Sequence, residues 1–216
     1  MSIVLLGSTS GSCTLQEQAV AGTTVLTLPT TSGTVLTSAS TGISASNITT
    51  GTLPKAQLPT GSVLQVVSTQ ITAKTTVSLA SFATFYDISG FSVSITPTNA
   101  NSKILFLAMV NQSYQTTGSN RQFLRIVRDS TAIGIGDASG SQYRSTTGFY
   151  INDSLGQITL PLIWLDSPNT TSATTYKLQV ATNSGSQTAC FNRTVADNQN
   201  DMAVTASQIL VLEIAA

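Results

Sequence analysis

The sequence predicts an all-β protein. It has an extended N-terminal β shaft or collar over residues 1–42, a neck over 43–61, and a C-terminal β-sandwich head, read as a jelly roll, over 62–216. Three observations predict this. Short runs rich in Val, Ile, Thr and aromatic residues alternate with polar positions, and Gly, Pro, Asn and Asp separate them. Ser, Thr and β-branched residues dominate, and no stretch carries a helical apolar period. Between the two parts lies ISASNITTGTLPKAQLPTG, with one charge, Lys55, and two Leu-Pro pairs.

The N-terminal part opens with an apolar strand, Ile3-Val4-Leu5-Leu6, closed by a Gly/Ser breaker through Ser12. Runs at 13–20 and 23–28 follow, and Pro29 ends the second. Thr24-Val25-Leu26-Thr27 then recurs as Thr34-Val35-Leu36-Thr37, ten residues on. Ordering a residue's backbone costs about 1–2 kcal/mol, and a single layer of short strands buries one face at most. The missing apolar surface must come from other chains or from the head, so the sequence predicts interchain wrapping.

In the neck, Pro54 and Pro59 cannot donate ladder hydrogen bonds and hold φ near −65°. Ile43, Ile48, Leu53 and Leu58 fall five residues apart. That spacing matches neither helix nor strand. It fits one apolar anchor per extended step, so these four residues are candidate oligomer contacts.

In the head, strands are predicted at 63–69, 74–80, 84–96, 103–112, 121–128, 131–135, 155–165, 174–182, 187–194 and 203–214. About ten strands over about 150 residues suit a β-sandwich. Trp164 follows Leu160-Pro161-Leu162-Ile163 and is expected in the core. The last strand, Ile209 to Ile214, is apolar on both faces, which places it in the sandwich centre or between sandwich and partner. Leu210 and Leu212 are therefore further candidate oligomer contacts.

Composition narrows the function. Charged residues make up 8% and the formal net charge is zero, against about 25% charged in an ordinary domain. Nucleic-acid binding needs basic clusters, so no nucleic-acid partner is expected, and no apolar run is long enough to insert in a membrane. A charge-poor surface suits a chain buried against copies of itself. The start lacks the basic region of a secretory signal, so synthesis and assembly in a cytoplasm are expected.

Chemistry is limited in the same way. Histidine is absent, which excludes a Ser-His-Asp arrangement. Gly134 to Gly140 has the wrong spacing for a dinucleotide fingerprint and reads as a turn. Asp153, Asp166, Asp197 and Asp201 sit in no telling pair for glycan hydrolysis. Asp197, Asn198, Asn200 and Asp201 are rich in oxygen but lack calcium-loop spacing. Cys13 and Cys190 read as reduced apolar residues. The expectation is no enzyme, no cofactor and no metal. Tyr114, Asn120, Arg121, Tyr143, Arg144 and Tyr150 fall at predicted loops or strand ends. They are candidate receptor-binding residues, because Tyr and Arg join large contact area to a polar tip.

GSTSGSCTLQEQAVAGTTVLTLPTTSGTVLTSAS resembles segments of tail-fibre proteins of aquatic bacteriophages, including cyanophages. ISASNITTGTLPKAQLPTGSVLQVV is similar to the neck repeat of such fibres. ISGFSVSITPTNANSKILFLAMV, FLRIVRDSTAIGIGDASG and WLDSPNTTSATTYKLQV resemble their heads, so the resemblance covers nearly the whole chain. It implies a homotrimer whose jelly-roll heads are similar to those of tumour necrosis factor and complement C1q. It also implies a virion protein, a fibre or short appendage for host attachment, assembled in the host cytoplasm. The implied partners are copies of itself, other virion proteins through the N-terminal segment, and a host-surface glycan or protein. Because the repeat-like segment begins almost at Met1, a distal or capsid-mounted fibre is also expected to fit. Capsid decoration and a host-glycan depolymerase are the rival functions. In such a protein the sequons at Asn47, Asn111, Asn152, Asn169 and Asn192 carry no glycosylation meaning.

Overall fold

Within the head, the first of the alternating strands pairs with the last. A computed structural model describes residues 3–6, 12–15, 55–114, 121–150, 156–197, 200 and 202–216. The chain divides into two units, Met1–Thr52 and Leu53–Ala216. In the first unit β1 (Ile3–Leu6) and β2 (Ser12–Leu15) form an antiparallel hairpin, with Ile3 opposite Leu15 and Leu6 opposite Ser12. The neck anchors Ile43, Ile48 and Leu53 lie outside the described residues.

The second unit begins with a short 3₁₀ turn, Lys55–Gln57. Its strands are β3 (Val63–Ile71), β4 (Thr75–Leu79), β5 (Tyr86–Ile95), β6 (Lys103–Tyr114), β7 (Arg121–Arg128), β8 (Thr131–Ile133), β9 (Thr147–Tyr150), β10 (Ile158–Asp166), β11 (Thr174–Thr182), β12 (Gln187–Phe191) and β13 (Ser207–Ile214). The antiparallel pairs are nested: β3 with β13, β5 with β11, β6 with β10, and β7 with β9. A ribbon of nested pairs folded over itself is a jelly roll, as the sequence predicts.

One sheet runs β10, β6, β13, β3, and the other runs β5, β11, β7, with β8 and β9 sharing the far edge of β7. Along β6, β13 covers Lys103 to Met109 and β12 covers Gln112 to Tyr114 on the same edge. β4 flanks β12 as β3 flanks β13. The gap where these strands break is filled by Asn192, fully buried at φ 58°. Its Nδ2 donates to the carbonyls of Ile71 (2.8 Å) and Ala73 (3.1 Å), and its Oδ1 accepts from the Ser207 hydroxyl (2.6 Å). Asn tolerates this left-handed backbone better than most residues.

The core lies between the sheets. Phe91 meets Phe191 at 5.1 Å and Phe106 meets Tyr176 at 6.1 Å between ring centroids, and all four side chains are fully buried. In β5 the register jumps between Asp87, opposite Gln179, and Ser92, opposite Lys177. Gly90, at φ 81°, takes up the extra residues, so Ile88 and Phe91 both point inward. That bulge interrupts the alternation while keeping both apolar residues in the core.

A polar tie crosses the sandwich. Arg128 Nη1, on β7, donates to both oxygens of Asp166, on β10, at 2.9 Å. The Tyr176 hydroxyl donates to Asp166 Oδ2 at 2.7 Å. Burial first, and then Asp166, push the Tyr176 phenol far up. A buried carboxylate needs such partners to offset desolvation.

Several boundaries differ from expectation. β8 is shorter than 131–135, β12 ends at Phe191, and β13 starts at Ser207 instead of 203. β9 is unexpected: TGFY is four residues long and holds a glycine, too little pattern to register. Trp164 is not a core residue. It lies at the outer edge of the sandwich, 42% exposed, against the Gly134 backbone.

Candidate functional site

The two outer faces of the sandwich differ in chemistry. In the first sheet, inward positions of β6 and β13 include the fully buried apolar residues Ile104, Phe106, Ile209 and Val211. Directly paired residues share a face, so the outward set can be read from the register. One row runs Val66, Leu212, Leu105, Leu165, and the next runs Ser68, Leu210, Leu107, Ile163. Met109 and Pro161 begin the third row, beside Gln208. Ile163 is 66% exposed and Leu165 56%. A shallow cavity of about 220 Å³ opens here, lined by Leu107, Met109, Pro161, Ile163 and Leu210 among others. Lys103 borders the patch and donates to the Ser167 hydroxyl at 2.8 Å. Contiguous apolar patches of this kind mark interaction surfaces. The candidate contacts Leu210 and Leu212 are both half-buried at its centre.

The second sheet presents aromatic and charged groups. Arg121, Phe123 and Arg125 alternate outward along β7 while Gln122, Leu124 and Ile126 are buried. Tyr143 stacks on Phe123 with centroids 4.4 Å apart and planes 15° apart. Its hydroxyl donates to the Thr182 carbonyl at 3.3 Å, and burial raises its phenol above the ordinary value. Gly148 lies opposite Phe123, where a Cβ would come within 2.9 Å of the ring, so a glycine leaves room for the stack. Phe82 meets Tyr143 edge-on at 5.7 Å. Next along, the Arg125 guanidinium sits 3.9 Å above the Phe85 ring centre and donates to Gln179 Oε1 at 2.8 Å. Gln179 and Lys177 both donate to Asp87, at 2.7 and 2.8 Å, and these bonds, Lys177 first, hold its carboxyl below the usual range.

Three of the six candidate receptor residues meet on this face. Arg121 pairs with Tyr150 across β7 and β9, and Tyr143 stacks one step along on Phe123. Arg144 follows Tyr143, is exposed, and donates through Nε to the Gly136 carbonyl at 2.8 Å. Tyr114 ends β6, and its side chain lies outside the described residues, as does Asn120. Sequence reading missed Phe82, Phe85 and Phe123, because aromatics in a β chain are expected in the core. The one cue was parity: Phe123 shares outward phase with Arg121 and Arg125.

The acidic candidates for other chemistry take structural roles where described. Asp166 ties the sheets, and Asp197 pairs with Lys74 at 2.9 Å and Arg193 at 3.4 Å. Asp153 and Asp201 lie outside the described residues. Among the described residues no three acidic or cysteine side chains come together as a metal site. Cys190 is buried and unbridged, and burial pushes its thiol up.

No family model matches the chain, and no curated protein matches it. Among solved structures, a chain of the T13 IBDV viral particle is similar at 12% identity and TM-score 0.38, over 70% of this chain and 36% of that one. The infectious bursal disease virus Gx strain structure matches at 14% identity and TM-score 0.34, over 71% of this chain and 38% of that one. The VP2 subviral particle of infectious bursal disease virus matches at 13% identity and TM-score 0.32, over 70% and 37%. The protein spans little more than a third of those chains.

Proposed function

We propose that this is a virion structural protein, a homotrimeric fibre or short appendage that mediates host attachment. The observation that carries the reading is the apolar face of the β10-β6-β13-β3 sheet, which no other described element covers. A second copy of the chain is its occupant. The chain has zero formal net charge and 8% charged residues, so copies approach without repulsion, and leucines at the centre of the face favour close packing. With that face turned inward, the aromatic and charged face of the other sheet points outward. Resemblance of the neck and head segments to phage fibres supports the same arrangement. Attachment then works by avidity: three weak contacts per trimer act together because the later ones are effectively intramolecular. The N-terminal unit joins other virion proteins in this reading, and the protein catalyses no reaction.

Light scattering of the full chain tests the assembly, with Ile163→Asp/Leu165→Asp as the variant. Both side chains are solvent-exposed in the single chain, so the double change should leave the fold intact and convert trimer to monomer. A stable monomer for the native chain, or an unaltered trimer for the variant, would overturn it. Labelled chain should stain susceptible host cells. Failure to stain would favour capsid decoration, and release of oligosaccharide from host polysaccharide would favour the depolymerase.

A further inference from the structure

The aromatic cluster on β7 exceeds what anchoring a loop requires. Phe123 and the hydrogen bond to the Thr182 carbonyl already hold Tyr143. Phe82 adds a third ring, edge-on to Tyr143, yet it remains 63% exposed. A phenyl ring held in water forgoes the free energy its burial would provide. The next residue, Ala83, has φ 60°, a strained backbone for a residue with a Cβ. Strain and exposure together at one loop tip point to recognition more than to packing.

The charges beside the rings separate into two groups. Arg125 is committed to Phe85 and Gln179, and Lys177 to Asp87. Arg121 and Arg144 are exposed, and among the described residues neither has an acid within ion-pair distance; Arg144 gives its Nε to the Gly136 carbonyl, which leaves its two Nη groups to pair with a carboxylate. Arg121 shares the outward face of β7 with Phe123, and Arg144 adjoins Tyr143. A planar guanidinium matches a carboxylate through two parallel hydrogen bonds. An exposed ring offers a flat apolar surface to the C–H face of a pyranose. A neutral glycan would leave both arginines unused, and a nucleic acid calls for a larger basic surface.

We infer that this face binds an acidic saccharide of the uronate class, with Phe82 as the stacking platform and Arg121 and Arg144 engaging the sugar carboxylates. The inference rests on the attachment reading above and names the chemistry of its target.

The test titrates the full chain with oligogalacturonate and alginate oligomers, and with neutral dextran oligomers of equal length, by calorimetry. The uronate oligomers should bind at least tenfold more tightly than dextran. Phe82→Ala and Arg121→Gln/Arg144→Gln should each weaken binding at least tenfold, with Trp164 emission unchanged as the check on folding. Equal affinity for acidic and neutral oligomers, no uronate binding, or full binding by both variants would overturn it. Staining of host cells separates the two claims. Cells that stain while uronates neither bind nor compete leave attachment standing and remove this site. Uronate binding without staining keeps the site and removes attachment.

Discussion

Asn192 shows how much a single residue can hold in this fold. It occupies the break between strands on two neighbouring edges, satisfies two backbone carbonyls, and accepts a third hydrogen bond. Its own N–H donates to the Asn111 carbonyl at 3.0 Å. Asn192→Ala would leave those carbonyls buried without donors and put alanine at positive φ. It should cost about 2–4 kcal/mol in denaturant unfolding, and a loss under 1 kcal/mol would show that water replaces the amide cheaply. Glu213 is the acidic counterpart. Fully buried, it accepts from the Thr98 amide (2.7 Å) and hydroxyl (2.8 Å) and from Gln65 Nε2 (2.6 Å). Burial alone would raise this carboxyl, but the hydrogen bonds, Thr98 foremost, outweigh it and hold it below the ordinary carboxylate value. The folded-state pKa is the lower one. Its stabilisation is therefore complete above the unfolded-chain value and is lost as pH falls through the folded value. Glu213→Gln should lose about 1.5–3 kcal/mol at pH 7 and flatten the acid side of the stability-against-pH curve. Identical acid limbs for the two proteins would contradict this.

Among the elements, β10 is the most exposed to consequence. It pairs with β6 on one side, and no strand is described on its other edge. Pro161 suits such an edge, since it has no N–H to donate. Trp164 lies on the inward side of β10 opposite Phe106, but at the rim, and its ring rests on Gly134 at the end of β8. A Cβ at Gly134 would fall 2.9 Å from Trp164 Cδ2, at a backbone φ of 59°. Gly134→Ala should therefore displace the ring. As the sole tryptophan, Trp164 reports this directly: its emission should shift to the red, with a loss of about 1–2 kcal/mol. Unchanged emission would mean that the loop moves instead. The expectation of a buried Trp164 failed because an apolar run does not say where a strand lies in its sheet: β10 is an edge strand among the described residues, and the large indole on its inward side reaches the open rim.

At the scale of the whole molecule, the proposed association of copies involves more than the apolar face. Leu58 is half-buried beside Leu64 and Ala216 around an open cleft of about 400 Å³. Near it, Gly61 N donates to the Ala215 carbonyl at 2.8 Å and Ala215 N donates to the Ser62 carbonyl at 2.9 Å. The end of the neck is thus tied to the end of β13, whose outward leucines form the centre of the apolar face. The five-residue spacing also continues from Leu58 to Val63, the first residue of β3 and itself 48% exposed. Neck and apolar face are expected to contribute to one assembly. Ile48→Asp with Leu53→Asp in the full chain should reduce the trimer population at micromolar concentration in light scattering while Trp164 emission stays constant. Normal assembly would reduce the neck to a linker.

Strand identity was legible in the residues because it is local. Alternation in Phe91 to Ile95 and Tyr176 to Val180 is imposed by a backbone that points successive side chains to opposite faces. The sequence by itself therefore determined the all-β class, most strand positions, and the interest of Arg121, Tyr143, Arg144 and Tyr150. It could not determine what β9 pairs with, or that Gly90 reverses the phase in β5, since both depend on partners far along the chain. Which sides are covered was decided only by the tertiary structure. β3 meets β13 across most of the head's length, placing Val66 beside Leu212 and so joining Leu105 and Leu165 into one row. Likewise Phe82 and Phe123 belong to the candidate site only because the loop before β5 folds over β7. Hydrophobicity states that a residue gains from burial, while the pairing of distant strands decides whether its own chain supplies the cover.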